Sequence, residues 1–172
     1  ASKALNFPIS KTMRIAQQLY EGVDVKGQGT VGLITYLRTD STRISEEADA
    51  QARTYIAEKY GEKFVATQQA TKKNGAKIQD AHEAIRPSDI ERTPAMVKDS
   101  LSRDQFRLYQ LIWKRFAASR MASAVYETTN VKIGTGEYRF TVSASKISFE
   151  GFMSVYTDED DEKEENNVLL GS

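Results

Sequence analysis

Residues 101–116 read LSRDQFRLYQLIWKRF, and this stretch decides how the helical part of the chain is built. Ser102 followed three residues later by Gln105 is the pattern of a capping box, in which each side chain accepts from the other residue's backbone N–H. Leu101 is placed to pack onto Phe106 as a hydrophobic staple. Apolar residues then recur at helical spacing, so we interpret the aromatic rings as part of the core and not as an exposed binding surface. The predicted buried stripe is Phe106, Tyr109, Ile112, Trp113 and Phe116.

Two further helices are predicted on the N-terminal side of this one. Ser10 is expected to cap a helix that ends at Gly22. Ser45 is expected to cap a helix over residues 45–60, with Glu46 close to the positive end of the helix dipole. The predicted buried faces are Met13, Ala16, Leu19 and Tyr20 in the first helix, and Ala48, Ala52, Tyr55 and Ile56 in the second.

The sequence changes character after Ser123. Residues 125–133, 138–144 and 147–156 alternate as strands do, and residues 134–136 (GTG) form a hairpin-turn sequence. Residues 31–39 are rich in β-branched and aromatic side chains, which predicts a strand or an extended segment. The expected fold class is therefore α+β, mainly helical with an antiparallel β portion.

Composition restricts the class of protein. The chain has 172 residues, of which 40% are hydrophobic, so it can bury a core. The sequence has no cysteine, which excludes disulfides, thiolate zinc sites and cysteine nucleophiles and fits an intracellular protein. Neither a membrane-spanning run nor a signal-peptide pattern is present in the sequence.

A net charge of zero conceals an uneven distribution of charge. Residues 158–165 hold seven acidic side chains and one lysine, a local charge of 1 − 7 = −6, so the other residues sum to +6. We interpret the acidic run as a solvated tail or linker. The moderately basic remainder is compatible with a polyanionic partner.

Most familiar catalytic patterns are missing from the sequence. It has no Walker A sequence, no nucleophile elbow and only one histidine. What remains is GLITYLRTDST at residues 32–42, where strand alternation would point Tyr36 and Arg38 to the same face. A tyrosine hydroxyl is about one part in a thousand ionised at neutral pH, so attack on a phosphodiester needs a positive neighbour or a base. A guanidinium such as that of Arg38 matches phosphate oxygens bidentately. Taken alone, such a pair is common on strands.

The segment GLITYLRTDST closely resembles the active-site segment of bacterial type IA DNA topoisomerases. Three other segments resemble the same family in the same order: SKTMRIAQQLYEG at 10–22, QDAHEAIRPSD at 79–89 and LYQLIWKRFAASRM at 108–121. RFTVSASKISFEGF at 139–152 is similar to the family's continuation. Several spaced matches in one order are far more specific than one motif. AHEAIRP is more similar to the topoisomerase I branch than to topoisomerase III or reverse gyrase.

The resemblance implies a role for each matching residue. Tyr36 stands at the position of the nucleophile, which cuts one DNA strand, stays joined to the 5′ phosphate and reseals the strand without ATP. Arg38 matches an arginine that contacts the scissile phosphate. His82 matches a histidine that positions DNA, and Asp40 is expected to orient that histidine. Arg86 is a candidate phosphate contact, and the implied site includes no metal ligand in this chain.

The resemblance also implies a domain organisation. Residues 1–123 would be a gate domain similar to the helix-turn-helix fold of catabolite-activator-like proteins. Residues 124–157 would be strands of a partial arch domain, and residues 158–172 an acidic tail or linker. The implied partners are single-stranded or underwound DNA and the remaining domains of the same polypeptide, in a monomeric cytoplasmic enzyme of the bacterial nucleoid.

Mg²⁺ would be bound in the parent enzyme by a TOPRIM domain that this sequence lacks, so the chain alone is expected not to relax DNA. The spacing of Asp158, Asp160 and Glu162 is similar to the TOPRIM metal motif, but a low-complexity acidic run is no rigid scaffold for a metal. We therefore reject that site.

Two alternatives from other classes stay open. Tyrosine recombinases and type IB topoisomerases also combine tyrosine, arginine and histidine, but they place the tyrosine after the other residues. A non-catalytic helix-turn-helix DNA-binding module would also fit helices in a basic body. Tyr36→Phe distinguishes this second alternative, because a binding module would keep its function without the hydroxyl.

Overall fold

The computed structural model describes residues 1–67 and 82–156, so the acidic run at 158–165 and residues 79–81 lie outside the described part. The mainly helical α+β class predicted from the sequence is confirmed. Short 3-10 turns occur at Glu62–Phe64, Lys98–Ser100 and Gly151–Met153. The helices are α1 (Ser2–Leu5), α2 (Ile9–Glu21), α3 (Glu46–Lys59), α4 (Pro94–Val97) and α5 (Arg103–Ser119), and the strands are β1 (Val23–Val25), β2 (Gly29–Val31), β3 (Val125–Thr135) and β4 (Tyr138–Phe149).

Helix α5 is the centre of the helical body, and its predicted start is confirmed. The Ser102 hydroxyl accepts from the Gln105 N–H at 3.3 Å, and the Gln105 side chain accepts from the Ser102 N–H at 3.0 Å. The Trp113 ring N–H donates to the Ile90 carbonyl at 2.9 Å, and the buried Tyr109 hydroxyl donates to the Arg92 carbonyl. Burial raises the pKa of Tyr109 well above its ordinary value, so its hydroxyl stays a neutral donor. The apolar residues of α5 that are buried are Leu108, Tyr109, Trp113, Phe116 and Ala117.

Helix α2 begins earlier than the sequence predicted. Its N-cap is Pro8, whose carbonyl accepts from both the backbone N–H and the hydroxyl of Thr12, at 3.0 and 3.1 Å. The prediction of a cap at Ser10 is therefore wrong, because Ser10 lies inside the helix. The predicted end at Gly22 is confirmed, with a φ of 124° that favours glycine. The buried residues are Ile15, Ala16 and Leu19, whereas the Met13 and Tyr20 side chains remain exposed, against the prediction.

The predicted cap and three of the four predicted core residues of helix α3 are confirmed, whereas Tyr55 is only partly buried. The Ser45 hydroxyl accepts from the Ala48 N–H at 3.3 Å, and Ala48, Ala52 and Ile56 are buried. Among residues 1–67 and 82–156, no helix is long and apolar enough to cross a membrane.

Strands β3 and β4 form an antiparallel hairpin that pairs Val131 with Val142 and Ile133 with Phe140. Two strands were predicted across residues 138–156, but one continuous strand ends at Phe149. The reason lies at Gly151, where φ is 52° and a Cβ atom would collide with the backbone of Ala122 and Ser123, which follow α5 in the chain. The Phe152 N–H donates to the Ala122 carbonyl at 2.8 Å, which turns the chain back onto the helical body.

Ion pairs join α3 to the end of α5. The Asp49 carboxylate accepts from Arg53 at 2.7 Å and from Arg120 at 2.8 Å, and Arg53 also donates to the Ala66 carbonyl at 2.6 Å. Partial burial raises the pKa of Asp49, but the hydrogen bonds and charges of Arg53 and Arg120 outweigh it. The pKa of Asp49 therefore lies below its ordinary value.

We predict that Asp49→Asn lowers the free energy of unfolding by about 1–2 kcal/mol at pH 7, because charge-assisted hydrogen bonds are lost. Folding lowers the pKa of this carboxyl, so its contribution to the stability of the folded state is fully present at pH values above the pKa of the unfolded chain, near 3.8. That contribution is lost as the pH falls through the pKa of the folded state. The difference between the native chain and Asp49→Asn, measured by urea unfolding, should therefore shrink between pH 7 and pH 3. Asp24→Asn, at the exposed residue of β1, is the control. A difference of the same size at both pH values would contradict the prediction.

Candidate active site

Residues 32–36 form an extended segment and not a regular strand. Strand β2 ends at Val31, and beyond it only Ile34 pairs, with Pro87. The Thr35 N–H donates to the Arg86 carbonyl at 3.0 Å, and the Ser88 N–H donates to the Leu33 carbonyl at 3.0 Å. We call these bonds between residues 33–35 and 84–88 the Thr35 ladder.

The Thr35 side chain strengthens this ladder. Its hydroxyl donates to the Ala84 carbonyl at 2.9 Å and accepts from the Arg86 N–H at 3.0 Å. Beyond Tyr36 in the sequence, the Arg43 carbonyl accepts from the Ala84 N–H at 2.8 Å. The segment that follows His82 is therefore bonded to the chain both before and after Tyr36.

The ladder brings Tyr36 and His82 together. Their rings are stacked, with centroids 6.4 Å apart and planes 28° apart. The Tyr20 ring meets the Tyr36 ring edge-on, with centroids 5.4 Å apart and planes at 65°. The Tyr36 side chain is 44% exposed. The rings border a pocket of about 290 Å³ that is lined by Tyr20, Thr35, Tyr36, Thr39, His82 and Glu83.

Arg38 and Asp40 are exposed and are not among the residues that line this pocket. The chain bends at Leu37 and Arg38, and Leu37 is buried. Strand alternation, which was the geometric argument for placing Tyr36 and Arg38 on one face, therefore does not describe this segment. The implied roles of Arg38 and Asp40 at a phosphate and at His82 stay predictions.

The Arg86 guanidinium is engaged within the protein. It contacts the Glu83 carboxylate at 2.8 and 3.0 Å and donates to the Pro87 carbonyl at 3.0 Å. Its side chain is 14% exposed. Burial raises the pKa of Glu83, but the Arg86 hydrogen bond and charge, with smaller contributions from Ser45 and Arg43, lower it below the ordinary value. This arrangement favours a role in fixing the His82 segment, and phosphate contact by Arg86 stays a prediction.

Four residues of the pocket, Glu83 among them, had no predicted role in the site. Tyr20 was assigned to the buried face of its helix, and Thr35 and Thr39 carry no local signal. The position of Tyr20 depends on Gly32, because a Cβ atom there would lie 2.8 Å from the Tyr20 carbonyl oxygen. The Leu33 N–H also donates to the Leu19 carbonyl at 2.8 Å, which joins the end of α2 to the Tyr36 segment.

Within residues 1–67 and 82–156, no three His, Cys, Asp or Glu side chains are grouped so that they suit a metal ion. The side chains that line the described pocket are two phenols, an imidazole, two hydroxyls and a carboxylate.

We predict that Gly32→Ala displaces the end of α2 from the Tyr36 segment. The new Cβ would lie too close to the Tyr20 carbonyl oxygen, and a backbone atom cannot move aside as the end of a side chain can. The free energy of unfolding should fall by about 1–3 kcal/mol, the usual size of an overpacking effect. Gly134→Ala is the matched control, since nothing lies within 4 Å of a Cβ there. Equal denaturation midpoints for the two variants would contradict this close approach.

Two comparisons with known proteins bear on this site. A family model described as DNA topoisomerase matches residues 1–170. A solved structure of full-length topoisomerase I from Thermotoga maritima is 44% identical, with a TM-score of 0.76. The match covers 91% of this chain and 25% of that one, so this chain spans a quarter of the length of that structure.

Proposed function

Because the chain belongs to the DNA topoisomerase family, we propose that it supplies the nucleophile of a bacterial type IA enzyme that cuts and reseals one DNA strand. The resemblance inferred from the spaced motifs is confirmed by the match over nearly the whole chain. The observation that supports the proposal most strongly is local: an exposed tyrosine in GLITYLRTDST lies against the only histidine of the sequence.

Tyr36 fits the role of nucleophile better than other tyrosines of the chain. Tyr109 is buried, and its hydroxyl is already bonded to a carbonyl. Tyr126 and Tyr138 lie on the exposed hairpin. Tyr36 is accessible, borders a pocket and stacks on a ring that can hold a proton.

The proposed reaction exchanges one phosphate ester for another. The Tyr36 hydroxyl loses its proton, and its oxygen attacks the phosphorus of a DNA phosphodiester. The bond from phosphorus to the 3′ oxygen breaks, and that oxygen leaves with a proton. The 5′ phosphate is then esterified to Tyr36, and attack by the 3′ hydroxyl reverses the step. Since each step replaces one phosphate ester bond with another of similar energy, resealing consumes no ATP.

The surrounding residues would bind and orient the DNA. Arg38 is exposed, so its guanidinium is free to meet a phosphate brought to Tyr36 and to balance the charge that develops on the oxygens. His82 would position the strand beside the nucleophile, with Asp40 orienting its ring. As the family resemblance implies, Mg²⁺ would be held by another part of the polypeptide and would supply positive charge to the phosphate. Within residues 1–67 and 82–156, no group of three His, Cys, Asp or Glu side chains suits a metal ion.

We assign residues 1–123 to the gate domain, residues 124–157 to part of the arch and residues 158–172 to a tail or linker. In support of the first boundary, α5 ends at Ser119 and the exposed hairpin begins at Val125. The gate would move away with the bound 5′ end, admit a passing strand and close again. The substrate would be underwound or single-stranded DNA in the bacterial cytoplasm, and the enzyme would act as a monomer.

We predict that Tyr36→Phe, made in the full-length protein, abolishes both relaxation of negatively supercoiled DNA and the protein–DNA adducts trapped by denaturant. Binding to single-stranded DNA should remain, since only one hydroxyl is removed. Tyr138→Phe, on the hairpin, is the control and should keep both activities. Adducts formed by Tyr36→Phe would refute the proposed nucleophile. Unchanged function in that variant would favour a non-catalytic DNA-binding module.

We predict that Arg38→Ala slows single-turnover cleavage by roughly 10²–10³-fold, the usual effect of removing a donor from a developing oxyanion. Arg38→Lys should recover only part of this loss, because an ammonium cannot bind two phosphate oxygens in the planar bidentate way. Arg103→Ala, at the exposed start of α5, is the control for lost charge. Equal cleavage rates for Arg38→Ala and Arg103→Ala would exclude a role for Arg38 at the scissile phosphate.

A further inference from the structure

The end of α2 places a second aromatic ring against the proposed nucleophile. Tyr20 lies one residue before the last residue of α2, and its ring meets Tyr36 edge-on at 5.4 Å. Edge-to-face geometry at this separation is the favourable arrangement for two aromatic rings. Tyr36 therefore contacts two rings, Tyr20 and His82.

We propose that Tyr20 is a positioning residue that restrains the Tyr36 side chain for attack. This inference rests on the proposed function, because it concerns the same nucleophile. An exposed tyrosine side chain can turn about two torsion angles, and only some orientations aim its oxygen at a phosphate. A ring packed against it raises the fraction of molecules in a productive orientation.

The backbone around Tyr20 is suited to this task. The Leu19 carbonyl accepts the Leu33 N–H at 2.8 Å, and the lack of a side chain at Gly32 lets that residue approach the Tyr20 carbonyl closely. Tyr20 is thereby fixed to the segment that continues directly into Tyr36. The backbones that carry the two rings are therefore held together by a direct hydrogen bond and a close packing contact.

A purely structural role for Tyr20 fits the observations less well. The Tyr20 side chain is 39% exposed and lines the pocket. Helix α2 is anchored by other residues, since Ile15, Ala16 and Leu19 are buried. Gln18 also accepts from the Gln105 side chain of α5 at 3.1 Å. Removal of the Tyr20 ring would therefore leave most of the buried surface of α2 in place.

The test uses the full-length protein and two substitutions, Tyr20→Leu and Tyr20→Phe. Single-turnover cleavage of a single-stranded oligonucleotide is measured at saturating protein, and the Kd for the same oligonucleotide is measured separately. Tyr20→Leu should slow cleavage by about 3- to 10-fold, the fold-change that corresponds to one aromatic pair, with the Kd nearly unchanged. Tyr20→Phe keeps the ring and should cleave at the native rate. Ile9→Ala, at the exposed start of α2, is the control for a change in this helix.

A second measurement does not depend on cleavage. With fluorotyrosine incorporated, the ¹⁹F resonance of Tyr36 is identified by its loss in Tyr36→Phe. The resonance should move in Tyr20→Leu, because the ring current of Tyr20 is removed, and stay near its native position in Tyr20→Phe. This comparison also reports on the contact if Tyr20→Leu is too unstable for kinetics.

The inference is overturned if Tyr20→Leu cleaves at the native rate, if Tyr20→Phe loses as much activity as Tyr20→Leu, or if the whole effect is in the Kd. An unmoved Tyr36 resonance in Tyr20→Leu also overturns it. Failure of the proposed function gives a different result, namely native protein that forms no adduct at Tyr36.

Discussion

The Thr35 hydroxyl donates to the Ala84 carbonyl and accepts from the Arg86 N–H, while the Thr35 N–H donates back to the Arg86 carbonyl. These bonds hold together two segments that are far apart in the sequence. No contact between sequence neighbours would bring His82 to Tyr36, so their proximity depends on these bonds. A hydroxyl that both donates and accepts fixes the register more firmly than a single backbone bond, because a one-residue slip would leave several polar groups unpaired.

Buried neighbours hold the exposed groups of the site in place. Leu33, Ile34 and Leu37 are buried around the exposed Tyr36, so the reactive ring projects from a rigid segment. On the facing segment, Pro87 is buried and Arg86 is paired with Glu83. A nucleophile that must be reached by DNA cannot itself be packed. Its orientation therefore depends on the immobile backbone on either side and on the rings that contact it.

Local signals explain which parts of the fold the sequence predicted well. The caps at Ser45 and Ser102 were predicted correctly because each depends on residues within one helical turn. The strand predicted over residues 147–156 ends at Phe149, because the close approach of Gly151 to Ala122 and Ser123 is a contact between segments distant in the sequence. The prediction that Tyr20 is buried was wrong for a related reason. Helical spacing identifies the residues that share a face, but it does not show that the Tyr36 segment, which is distant in the sequence, packs beside Tyr20. Tyr36 and His82 were singled out through family resemblance, and their stacking was not predictable from spacing.

The central claim is that Tyr36 is the residue that becomes joined to the 5′ phosphate of a cut strand. The most direct measurement uses the full-length protein with Mg²⁺ and a single-stranded oligonucleotide labelled at either end, followed by denaturation and peptide mapping. We expect the protein to retain only the 3′-end label, on the peptide that contains Tyr36. Retention of the 5′-end label, or an adduct on any other residue, would contradict the account.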